Sequence, residues 1–177
     1  MGRAPARRNL EARYLAPFTE ALDLACHGEI PVHRGQVATN RFDPGFNLAA
    51  NQWLQFGDLR VELEDRTVII EIESAGGVTN LAKYWPLARH SPKPIFLLHV
   101  YGQSSQSDYI AHLKLWDFLW ERMHRDLGTG PDSKLWARRF TFQTSDLGAL
   151  DGAVEAFKQC LLEPMERLLA VHGWRGD

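Results

Sequence analysis

Residues 56–73 read FGDLRVELEDRTVIIEIE, two runs in which apolar and polar residues alternate on either side of Asp65-Arg66. Alternation with a period of two about a polar turn is the pattern of a β-hairpin. A two-residue turn at Asp65-Arg66 predicts the pairs Glu64–Thr67, Leu63–Val68, Val61–Ile70, Leu59–Ile72 and Asp58–Glu73. Side chains alternate faces along a strand, so Leu59, Val61, Leu63, Val68, Ile70 and Ile72 share one apolar face. Asp58, Arg60, Glu62, Glu71 and Glu73 share the other. Asp58, Glu71 and Glu73 then meet at the open end of the hairpin, where cross-strand partners lie roughly 5 Å apart.

Three carboxylates that close repel one another unless something neutralises them. A solvated acidic sheet face is one explanation, and a divalent metal site is the other. Acidic residues are poor strand formers, yet Glu71 and Glu73 sit in the most apolar strand of the chain. A helical pattern and a second buried strand follow, which predicts a sheet covered on both faces. A covered face favours the metal site.

At 177 residues the chain is long enough for one domain with a full core. Residues 1–8 are expected to be a flexible basic arm and residues 9–177 a single domain. The formal net charge of −2 excludes a global basic field for coating nucleic acid. An acidic site would offset basic residues elsewhere. Cys26 and Cys160 match no metal or redox spacing, as expected of reduced thiols in a cytoplasmic protein. No apolar run approaches the roughly 18 residues of a membrane span, and the basic start lacks the apolar stretch of a secretory signal.

Along the chain, Leu10, Tyr14, Phe18, Leu22 and Cys26 recur at helical spacing, with Pro17 expected to kink the helix or start a second one. Glu11 and Glu20 are candidates to face the acidic cluster from it, with solvent exposure as the alternative. Glu29–Val32 is a candidate edge strand, and residues 41–47 form a turn-rich loop with aromatic and basic residues. Residues 52–58 fit either one bent strand or two. After the glycine-containing stretch 74–77, Thr79 or Asn80 caps a helix that Pro86 should shorten or kink. Lys83 lies about one turn from its start, and helical side chains lean toward the N-terminus, which aims Lys83 at the carboxylates. A plain surface lysine is the competing assignment. Residues 94–101 form a buried strand with an interior His99. A long helix to Asp126 has a broad apolar face, and 135–142 form a further strand in a basic region with Lys134, Arg138 and Arg139. A final helix over 145–172 is interrupted at Pro164.

Asp58, then Glu71-Ile72-Glu73, then the capped helix with Lys83, in the order helix, strand, acidic hairpin, helix, strand, helix, resembles the PD-(D/E)XK nuclease superfamily. The match spans roughly residues 9–125 and joins element order to a short motif. It implies a restriction-endonuclease-like α/β fold, a central mixed sheet of about four to five strands flanked by helices. It further implies that Asp58 and Glu71 bind Mg²⁺, or Mn²⁺ in its place, with the Ile72 carbonyl as a further ligand. Glu73 stands where the family usually has lysine. The resemblance makes it a water-positioning group or second-metal ligand, and makes Lys83 the relocated lysine. The implied activity is hydrolysis of DNA phosphodiester bonds, with a homodimer as a possible assembly. The alternative is an inactive nuclease-fold module that binds nucleic acid or a protein partner.

Overall fold

In the computed structural model of the chain, residues 5–26, 30–35, 37–44, 46, 52–74, 79–103, 109–128, 132–143, 147–170 and 174 are described. The first helical pattern forms α1 (Pro5–Ala25), which begins within the expected arm and runs unbroken through Pro17. Tyr14, Phe18 and Leu22, one turn apart, are buried with Ala21. Next comes β1 (Val32–Arg34), shifted toward the C-terminus from the expected edge strand. Residues 52–58 take the second of their two arrangements. A short β3 (Leu54–Gln55) pairs with β2 (Arg41–Phe42) in a separate ribbon, and β4 (Leu59–Glu62) starts anew.

The hairpin is closed by β5 (Thr67–Ser74). The loop expected over 74–77 lies almost wholly outside the described residues. The following helix is split into α2 (Thr79–Ala82) and α3 (Tyr84–His90), with Lys83 at the joint. Pro86 explains the split: it has no N–H for the Ala82 carbonyl four residues earlier, and its ring collides with that carbonyl. Then follow β6 (Ile95–Gln103), α4 (Tyr109–Leu127), β7 (Leu135–Gln143), a 3₁₀ turn at Leu147–Leu150, α5 (Asp151–Leu162) and α6 (Met165–Ala170). Pro164 separates the last two helices. The apolar face of α4 is narrower than expected: Trp116, Trp120 and Met123 are buried, whereas Ile110 and Phe118 are 62% and 52% exposed.

Five strands form one mixed sheet in the order β1-β4-β5-β6-β7. The first three are antiparallel, and β5, β6 and β7 are parallel, joined through α2–α3 and through α4. The expected α/β class with a central mixed sheet flanked by helices is what forms.

The hairpin register differs from the expected one by two residues. Leu59 pairs with Ile70, Val61 with Val68 and Glu62 with Thr67, because the chain reverses over Leu63–Arg66 instead of Asp65-Arg66 alone. Leu63 N–H donates to the Arg66 carbonyl across this reversal. Arg66 is buried, and its guanidinium donates to the Leu161 and Glu163 carbonyls at the C-terminal end of α5. A cation that satisfies the last carbonyls of a helix is a favourable C-terminal partner, and it holds Arg66 out of the ladder. A shift of two leaves every side chain on its expected face, but it moves Asp58 from beside Glu73 to beside Glu71.

Two cores flank the sheet. Val68, Ile70, Phe96, Leu98 and Trp136 meet Phe18 of α1 and Phe157 of α5 on one side. Ile69, Leu97 and Ala137 meet Leu81, Tyr84 and Trp116 of α2, α3 and α4 on the other.

Candidate functional site

A cavity of about 330 Å³ opens where β4 enters the hairpin, lined by Asp58, Glu71, Glu73, Asn80, Lys83 and Trp53 among others. All four side chains singled out from sequence, Asp58, Glu71, Glu73 and Lys83, therefore border one space, as does Ile72.

Asp58 is delivered by Gly57, whose φ is +116°. A Cβ there would stand 2.8 Å from the Ile70 carbonyl and 2.9 Å from the Tyr84 hydroxyl, so only glycine lets the chain pass so close. Buried Asn40 supports this crossing: its Nδ2 donates to the Gly35 and Gly57 carbonyls, each at 3.0 Å. Asp58 N–H donates to the Ile70 carbonyl at 2.9 Å, and Asp58 Oδ2 accepts the Ile72 N–H at 2.8 Å. The carboxylate is thus tied to the backbone of β5.

Glu71 is buried beside it, and Lys83 Nζ lies 2.6 Å from its Oε2. The joint between α2 and α3 puts Lys83 at the end of the first helical turn, within reach of β5. Tyr84 follows directly. Its hydroxyl lies between Glu71 Oε2 and the Phe56 carbonyl, 2.8 Å from the latter, with one proton for two acceptors. Burial, then the Glu71 charge, push the phenol well above its ordinary pKa, so Tyr84 stays a neutral donor. Asn80 donates to Glu73 Oε1 from the same helix face.

Glu73 carries the electrostatic cost of this convergence. Burial comes first, then the Glu71 charge and a hydrogen bond with Glu71, then Asp58; together they push its pKa up to about 8 against the opposing pull of Lys83. Near neutral pH Glu73 holds a proton, and any cation that enters must displace it.

Whether these residues fit a metal turns on donor chemistry. Among the described residues, no three His, Cys, Asp or Glu side chains are grouped to hold an ion by themselves. Mg²⁺ asks for less: one or two carboxylates, with waters and substrate phosphate completing an octahedral shell. Asp58 and Glu71, which line one cavity, supply the two carboxylates that such a shell asks for. Glu73 adds a third carboxyl to the same wall, kept protonated first by its burial and then by the charge of Glu71.

His99 is fully buried on β6 beside Glu71. Its Nδ1 accepts the Trp116 indole N–H at 3.0 Å, while Nε2 finds no partner among the described residues. Burial, then the Lys83 and Arg139 charges, push its pKa well down, so it is neutral. The interior histidine expected from sequence is thus only half satisfied. Glu20 is exposed on α1, which packs against the opposite sheet face, so it stays away from the cluster. The Glu11 side chain lies outside the described residues. In the basic stretch, Arg139 bonds the Leu113 carbonyl at 3.0 Å and Asp117 at 2.5 Å, and Arg138 packs over Phe140 and Trp174.

Asn40 and Tyr84 were not identified as site residues from sequence, and Asn80 only as a helix cap. The spacing of Asn80, Lys83 and Tyr84, i, i+3 and i+4, is a legible signal that they share a helix face. Nothing local marks Asn40, which acts through a backbone far along the chain. No protein-family model, curated protein or solved structure matches the chain.

Proposed function

We propose that this chain is a Mg²⁺-dependent nuclease that hydrolyses DNA phosphodiester bonds, with the restriction-endonuclease-like arrangement its sequence resembles. One observation carries the proposal: Asp58, Glu71 and Glu73 converge on one cavity with the Lys83 ammonium against Glu71. The element order supports it, since an antiparallel β1-β4-β5 set is followed by a parallel β6 reached across helices.

Asp58 and Glu71 would hold the ion, with the Ile72 carbonyl and Glu73 as further oxygen donors. When bound, it supplies charge neutralisation for the scissile phosphate and a lower pKa for its water. Asp58 is oriented by the Ile72 N–H, and Glu71 by Tyr84. Lys83 is placed to stabilise negative charge developing on the phosphate oxygens. Glu73, protonated near neutral pH with a pKa pushed up to about 8 by burial and its acidic neighbours, would give up that proton when it takes its place beside the ion, and is then suited to orient the attacking water. Cutting both strands of a duplex would call for a second copy of the chain.

The test is cleavage of plasmid, linear and single-stranded DNA in Mg²⁺ or Mn²⁺. Asp58→Ala and Glu71→Ala should each lower the rate by about 100-fold or more. Unchanged cleavage in both variants would overturn the site.

A second reading draws on the 2.6 Å Lys83–Glu71 pair and the protonated Glu73, which leave the cluster partly neutralised without any metal. On that reading the fold is an inactive module that binds nucleic acid or a protein partner. DNA binding without metal-dependent cutting, and no calorimetric heat on adding Mn²⁺, would favour it.

A further inference from the structure

Trp53 lines the carboxylate cavity and also a second cavity of about 450 Å³, shared with Arg41 and Phe46. Phe46 in turn lines a third cavity of about 450 Å³, bordered by Trp85 and Arg89. The three share lining residues in sequence, starting at the carboxylates, and Trp53, Arg41, Phe46, Trp85 and Arg89 border the second and third, with Asp43 also on the wall of the second. Trp53 and Phe46 are 42% and 56% exposed, although each is large and apolar. The Arg41 guanidinium lies 3.4 Å from the Trp53 ring centroid, which holds the indole in place and sets a positive charge beside it. Aromatic platforms interleaved with arginines are the chemistry that binds unpaired nucleotides, since every base has a π-face and every linkage a negative charge. A duplex keeps its bases stacked on one another and offers none to Trp53.

Resting on the nuclease reading, we propose that Trp53 and Arg41 form a stacking subsite for an unpaired nucleobase next to the scissile phosphate. The preferred substrate is then DNA that is single-stranded at the cleavage point. Phe46 and Trp85 continue the track for the following nucleotides, with Arg41 and Arg89 beside the backbone. Arg89 also pairs with Asp126, which fixes its position at the rim.

The experiment measures binding of a fluorescein-labelled oligothymidylate, and of its duplex with oligoadenylate, in Ca²⁺, together with cleavage of both in Mn²⁺. Wild type should prefer the single strand. Trp53→Ala should weaken single-strand binding roughly tenfold and leave duplex binding unchanged, while Trp53→Phe keeps most of the affinity. Arg41→Gln should lower affinity and flatten its salt dependence. Equal binding of the single strand by wild type and Trp53→Ala overturns the subsite but leaves the nuclease reading standing if Mn²⁺-dependent cleavage persists. A wild-type preference for duplex does the same. No binding of either DNA, at low salt and with an unchanged thermal melt, overturns both.

Discussion

On β5, Val68, Ile70 and Ile72 face α1 and α5, whereas Ile69, Glu71 and Glu73 face α2, α3 and α4. The first face is apolar along β5 and β6, and on β7 it is interrupted by Arg138, whose guanidinium packs over Phe140 and Trp174. The second is continuously apolar at the start of the strands, at Ile69, Ile95, Leu97, Leu135 and Ala137, with the Tyr101 ring returning further along. Further along, consecutive strands present Glu71, His99 and Arg139 at matched register. Each is held by specific partners: Glu71 by Lys83 and Tyr84, His99 by Trp116, Arg139 by Asp117 and the Leu113 carbonyl. One side of the sheet thus supplies stability through non-directional burial. The other gives up part of that burial for directed polar contacts, which are costly to leave half made.

Deleting packing on the apolar side should have the largest effect on stability. Phe157→Ala removes a fully buried ring that meets Phe18 edge-on, and should cost about 3–5 kcal/mol in urea unfolding, by a similar amount at acid and alkaline pH.

On the polar side, Glu71→Gln leaves the Lys83 ammonium, 12% exposed, without its counter-charge. The loss should be about 3 kcal/mol, and Lys83→Met added to it should recover much of that, since a buried pair is costlier broken than absent. A double-mutant cycle without coupling would dissolve the contrast between the two sides.

A pH series sharpens the contrast. Glu73 has a folded pKa of about 8, above that of an unfolded glutamate. Between those values the folded chain binds a proton that the unfolded chain has released, so stability falls as pH rises through the window. Melting temperature should therefore drop from about pH 6 to about pH 8.5 in wild type and drop less in Glu73→Gln. A parallel decline in both would remove Glu73 as its cause. Mn²⁺ should raise the melting temperature more at the alkaline end, where no proton competes for the carboxylate.

The smallest effect belongs to the outer face of α4: Ile110→Ser, at a residue 62% exposed, should change stability by less than about 0.5 kcal/mol.

The expectations that fared best rest on local periodicity. The faces of the hairpin, the covered mixed sheet and the breaks at Pro86 and Pro164 all follow from side-chain alternation and from a ring that blocks a hydrogen bond. The convergence of Asp58, Glu71, Glu73 and Lys83 on one cavity was readable in the same way, because those residues lie on consecutive elements. The turn was not, since nothing in Leu63–Arg66 announces that Arg66 will bond carbonyls of α5, nearly a hundred positions later in the chain. Periodicity also overstated the buried face of α4, because a helical stripe shows which residues share a side and not how much of it the sheet covers.

Alternation in residues 56–73 is a property of the backbone's own geometry, so the chain's order of residues is enough to set which carboxylates share a face. Their protonation, their partners and the register that sets Asp58 beside Glu71 depend on groups brought from afar: Asn40 beneath Gly57, Tyr84 between two acceptors, Arg66 on α5. Those contacts exist only once the chain has closed on itself, because burial raises the cost of an unpartnered charge and so selects the arrangement in which each one is answered.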